Sequence, residues 1–149
     1  MYSQKEKQAL ITLIGSWVIL GIYSLYIYYH YIVEQPDIIN DLQFWGTAFL
    51  ILIPVSIIAQ IIIHIIFAII NKVITKEDME MLEDEMDKLI ELKAARISHW
   101  SFVLGFALTM GAIAFGSELY VMFLMLIGSG FLSGTFEALA KIYFYRRGV

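Results

Sequence analysis

The chain has 149 residues, 60% of them hydrophobic and only 16% charged, whereas soluble domains carry about 25% charged residues. It contains no cysteine, which excludes disulfides, thiolate metal sites, thiol catalysis and S-palmitoylation. The net charge of −4 argues against nucleic acid as a direct partner, because phosphate binding needs a surplus of Lys and Arg on one face.

A helix crossing the hydrocarbon core needs about 20 consecutive apolar residues. Four stretches meet this requirement, so the fold class expected is an all-α polytopic membrane protein. The whole of 1–149 is read as a single membrane domain of four transmembrane helices and one cytoplasmic amphipathic helix. The first span runs from Leu10 to Val33, with Pro36 preventing further helix. Its apolar run is too long for a signal peptide and has no clear small-residue cleavage site, so it reads as a retained anchor. The second runs from Phe44 to Ile70, with Asn40 and Gln43 at capping-box spacing and Pro54 predicting a kink. The third runs from Ile97 to Phe115. Gly116 has the freedom to end it in a left-handed conformation, and Ser117 is placed to cap the fourth span, Leu119 to about Tyr145. Spans three and four are therefore expected to form a tight hairpin.

Basic residues favour the cytoplasmic side of a membrane. Lys5 and Lys7 precede span one, Lys72, Lys76, Lys88, Lys93 and Arg96 lie between spans two and three, and Lys141, Arg146 and Arg147 close the chain. On this topology all of them share one side, while Glu34, Asp37, Asp41 and Glu118 mark the other. The expected location is the cytoplasmic membrane, multi-pass, with both termini in the cytoplasm. The tyrosines from Tyr23 to Tyr31 then form an interfacial belt at the outer end of span one.

Between spans two and three, residues 75–96 are charged, free of Gly and Pro, and rich in helix formers. They predict a separate cytoplasmic helix capped by Thr75. Met79, Leu82, Met86 and Leu89 recur at spacings of three and four, giving one apolar stripe. That stripe needs a cover: the membrane surface, the underside of the bundle, or a protein partner.

Ionisable groups at membrane depth are costly, which makes each a functional candidate. Ser56, Gln60 and His64 share one face of span two. Glu137 lies inside span four with Lys141 one turn on. His64 and Glu137 fall at about the same depth and meet if spans two and four pack together, as a proton or cation site. The alternative is structural: Glu137 neutralised by Lys141, with Gln60 and His64 bonding between helices. Gly130 and Gly134 form a GxxxG extended by Ala138, with Ser129 and Ser133 as a second small pair. Packing within the hairpin is the first use expected of these residues, and homodimerisation the second.

The stretch EDEMDKLIELKAARISHW and the ending KIYFYRRGV resemble a class of small four-span bacterial and archaeal membrane proteins of unknown function. Members are sometimes encoded beside helix-turn-helix regulators, so the resemblance implies a membrane-bound anti-regulator or immunity protein, and it assigns no functional residues.

No HExxH motif and no aspartate inside a span support catalysis, and the three histidines lie too far apart in the spans to share a metal. The expected protein is not an enzyme, with no catalytic, cofactor-binding or metal-binding residue. It acts through protein interaction, as a membrane-tethered regulator or an immunity or accessory protein whose partner meets residues 75–96. The alternative is a small oligomeric transporter or channel built around His64 and Glu137.

Overall fold

A computed structural model of the chain describes residues 3–76 and 84–148. These residues form four long helices: α1 (Gln4–Ile27), α2 (Leu42–Thr75), α3 (Glu85–Ala114) and α4 (Leu119–Arg147). A π-helical turn, Tyr28–Ile32, extends α1, and a 3-10 turn, Pro36–Asn40, leads into α2. All four helices are long and apolar enough to cross a membrane. The isoleucines of α2 argue the same from packing. Ile57, Ile58, Ile61, Ile62, Ile65, Ile66 and Ile69 are each about half exposed or more, a continuous apolar surface that a soluble monomer does not present to water. The chain is a multi-pass helical membrane protein.

The helix ends follow local chemistry. Ser3 and Glu6 make a reciprocal capping box at the start of α1. Asp41, rather than the anticipated Asn40, caps α2 by accepting from the Gln43 N–H at 2.9 Å. α2 continues through Pro54, whose missing N–H leaves the Leu50 carbonyl without its helical donor. Gly116, at φ +87°, ends the α3 hairpin as anticipated. Ser117 does not cap α4, since Glu118 stands at the cap position without a side-chain bond.

Among the described residues of 75–96, which are 75–76 and 84–96, the separate helix expected there is not observed. Thr75 is the last residue of α2, its hydroxyl donating to the Asn71 carbonyl at 2.7 Å. Asp84 caps α3 in a capping box with Asp87, and residues 85–96 are the first three turns of the same helix that becomes span three. No Gly or Pro interrupts this stretch, so the change from charged to apolar at Ile97 is not a helix boundary. Met79 and Leu82 lie outside the described residues. Met86 and Leu89 are 46% and 45% exposed, whereas Ile90 and Ala94 are fully buried; the bundle-facing side of this segment is one position round from the stripe read in the sequence.

The helices pack in the order α2, α1, α4, α3. The largest interface is the α3–α4 hairpin, α1 lies against both α4 and α2, and α2 and α3 make no close backbone approach among the described residues. α1 thus joins α2 to the α3–α4 hairpin. Trp17 donates from Nε1 to Thr135 Oγ1 of α4 at 2.8 Å, and Tyr23 donates from its hydroxyl to the Ala48 carbonyl of α2 at 2.7 Å. In hydrocarbon, where no water competes, such bonds fix helix neighbours.

The hairpin does not use the GxxxG as anticipated. A Cβ added at Gly130 or Gly134 would meet nothing within 4 Å, whereas one at Gly105 would lie 2.5 Å from Ser129 Cβ. The close approach in the hairpin is therefore Gly105 of α3 against Ser129 of α4; Thr109 and Ser133, one turn further along their own helices, are buried as well.

Candidate functional site

The up-and-down topology brings the start of α1, the end of α2, the start of α3 and the end of α4 to one end of the bundle, and every Lys and Arg of the chain with them. Here the polar groups sort into two layers.

The deeper layer joins α1 to α2. Thr12 Oγ1 donates to the Gln8 carbonyl and lies 2.9 Å from His64 Nε2, so it accepts from His64 when that nitrogen carries the proton. Gln60 Nε2 donates to the Thr12 carbonyl at 3.1 Å and to Ser16 Oγ at 2.9 Å. Two members of the polar face read on α2, Gln60 and His64, thus find partners on α1. Glu137 instead pairs with Lys141 at 3.1 Å on its own helix, and Lys141 also lies 3.6 Å from Glu91 of α3. The structure gives His64 and Glu137 separate partners and no bond to each other.

The second layer ties the helix ends together. Glu6, 3% exposed, accepts from Arg146 Nε at 3.1 Å, linking the two ends of the chain. Lys5 lies 3.5 Å from Asp87, which also accepts from the Tyr145 hydroxyl and from the Asp84 N–H at 3.3 Å. Burial raises the Asp87 pKa, but the bonds from Asp84 and Tyr145 and the Lys5 charge outweigh it and hold the carboxyl below its ordinary value of 3.8. A depressed carboxylate stabilises the fold above its unfolded pKa, and that contribution is lost as pH falls through the folded one. The thermal midpoint in detergent is therefore expected to fall as pH drops below 3.8, and Asp87→Asn should flatten this acid limb. An unchanged acid limb in the variant would contradict the assignment.

Between α1, α2 and α4 lies a cleft of about 840 Å³. Its half away from the basic end is lined by apolar side chains such as Phe49, Leu52, Phe123 and Leu126. Trp45 stacks on Phe123 there, 5.5 Å between ring centroids, with Phe49 at 5.4 Å on the same ring. Towards the basic end the walls become polar, with Thr12, Ser16, Gln60, Glu137 and Lys141. Gly130, Gly134 and Ala138 line the cleft as well, so the absent side chains of the two glycines leave room for it. A smaller polar space of about 210 Å³ adjoins, sharing Ala9, Thr12 and Lys141 with the cleft and adding His64, Lys5, Asp87, Glu91 and Tyr145.

Sequence reasoning found Gln60, His64, Glu137 and Lys141, and missed Thr12, Ser16 and Glu6. Thr12 and Ser16 stand four residues apart, the same spacing as Ser56, Gln60 and His64, and two such stripes on consecutive spans are the signal that pairs them. Ser3 and Glu6 carry capping-box spacing in plain view.

No family model, curated protein or solved structure matches the chain.

Proposed function

We propose that this protein acts through protein interaction, as a membrane-tethered regulator or an immunity or accessory protein, with both termini and the loop after α2 in the cytoplasm. The orientation rests on the gathering of all basic residues at one end. The observation that carries the function is the first three turns of α3. Met86, Leu89 and Leu92 are exposed there at 46%, 45% and 70%, while Asp87 and Glu91 are held to Lys5 and Lys141 of the bundle. Three apolar side chains are thus exposed, interleaved with the exposed Glu85, Lys93 and Arg96, on a segment that these ion pairs tie to the bundle.

Residues 75–96 hold eight acids and four bases. That surplus disfavours adhesion to anionic lipid and suits a soluble partner with a basic, apolar surface. The transporter reading has less support. The polar lining of the cleft stops short of the half closed by Trp45, Phe49 and Phe123, and a transport path needs polar groups reaching both faces.

A photoreactive residue at Leu92 tests the reading in cells. Irradiation is expected to yield a discrete adduct with a soluble protein, reduced about tenfold or more by Met86→Glu with Leu89→Glu in a bundle that stays folded by size-exclusion chromatography. Adducts with lipid alone, or an adduct indifferent to the two substitutions, would refute it.

A further inference from the structure

The cleft and its polar annex have the form of a site for an amphipathic guest. The apolar body is about 840 Å³, within the range of about 300–1,000 Å³ that small-molecule sites occupy. From Phe123 to Lys141 along α4 it extends on the order of 25 Å by helix rise, most of the way across one hydrocarbon core. Among the described residues α2 meets α4 through the rings of Trp45, Phe49 and Phe123 and makes no close approach to α3, which leaves the gap between α2 and α4 as the side on which a chain would enter.

The charges at the head end narrow the guest. Lys5 and Lys141 stand there with Asp87, Glu91 and Glu137. Both signs are present with acid in excess, so a purely anionic head meets net repulsion, while a zwitterion places its phosphate at the lysines and its cation at the carboxylates. Glu91 and Glu137 are half and one-third exposed, open to a donor. A quaternary ammonium is held by an aromatic cage of Trp, Tyr or Phe faces, and among the described residues Tyr145 is the one such ring lining the polar annex, beside the His64 imidazole. A primary ammonium, with three N–H donors, fits carboxylates instead.

We propose that the cleft binds a zwitterionic phospholipid whose head carries a primary ammonium, its tail along α4 between Phe123 and Gly134 and its head between Lys141, Glu91 and Glu137. The site is independent of the protein partner proposed above.

The test is native mass spectrometry on delipidated protein in mild detergent. It is titrated with phosphatidylethanolamine, phosphatidylcholine and phosphatidylglycerol of identical tails. The ethanolamine lipid is expected to be retained at about tenfold lower concentration than either of the others. Glu91→Gln with Glu137→Gln should bring it level with the choline lipid. Gly134→Phe, which adds its ring where a Cβ meets nothing within 4 Å, should abolish retention of all three; Gly130→Leu serves the same purpose if that variant does not fold. Equal retention of the three lipids by wild type overturns the proposal, as does a preference for the anionic one or no retention. So does a dimer that Gly134→Phe disperses, which would mean that a second copy fills the cleft.

Discussion

Replacing Gly105 with alanine is expected to destabilise the protein by about 1–3 kcal/mol, the usual cost of forcing extra volume into a packed interface. The added Cβ would lie 2.5 Å from Ser129 Cβ, which rotation of the hydroxyl cannot relieve, so α3 and α4 must move apart along the most extensive contact in the fold. Gly105→Ala combined with Ser129→Gly restores the space and should recover most of the loss, a coupling that separates steric conflict from any intrinsic effect of the substitution. Gly130→Ala and Gly134→Ala meet open space and should cost nothing measurable. Detergent unfolding monitored by circular dichroism decides between the two seams. A hairpin that tolerates Gly105→Ala but loses stability at Gly130 and Gly134 would return the packing role to the GxxxG.

The second large effect is expected at Arg146. Removing one partner of a buried ion pair costs about 3–5 kcal/mol because the other charge is left uncompensated. Glu6 is almost wholly buried, at 4% side-chain exposure, but the Arg146 side chain is 52% exposed. Solvent screening therefore lowers the expected cost of Arg146→Ala to about 2–3 kcal/mol. Glu6→Gln should cost less, since the Arg146 charge it leaves without this partner is half exposed and solvated rather than buried, and the double variant should resemble Glu6→Gln more than Arg146→Ala. This ordering, read from thermal midpoints, distinguishes an ion pair from loss of the arginine's packing, for which Arg146→Ala would be equally harmful with either residue at position 6.

Apolar length made the four spans legible in the sequence, and the hairpin at Gly116 followed from a single residue's conformational freedom. The position of the basic residues predicted which helix ends lie together, and Glu6 with Arg146 and Lys5 with Asp87 join those ends in the structure. What periodicity could not supply was the choice of neighbour. His64 and Glu137 lie at similar depths, and depth alone is compatible with their meeting; the order α2, α1, α4, α3 gives His64 to Thr12 and leaves Glu137 to Lys141. Small residues posed a similar difficulty. Gly130 and Gly134 have the spacing of a close helix contact, yet they line open space, whereas the lone Gly105 makes the close approach. The start of α3 was misplaced for a simpler reason. Charged and apolar halves of one continuous helix read as two elements when polarity is taken for a boundary.

The central claim is that α1 lies between α2 and α4, holding the polar residues of α2 on one side of a cleft and those of α4 on the other. Because the chain has no cysteine, paired cysteines and a short bifunctional thiol reagent test it cleanly in native membranes. Thr12→Cys with His64→Cys, and Trp17→Cys with Thr135→Cys, are expected to cross-link in high yield, and His64→Cys with Glu137→Cys poorly. Efficient cross-linking of the His64 and Glu137 positions, with little between the Thr12 and His64 positions, would contradict this arrangement and restore a shared intramembrane site on α2 and α4.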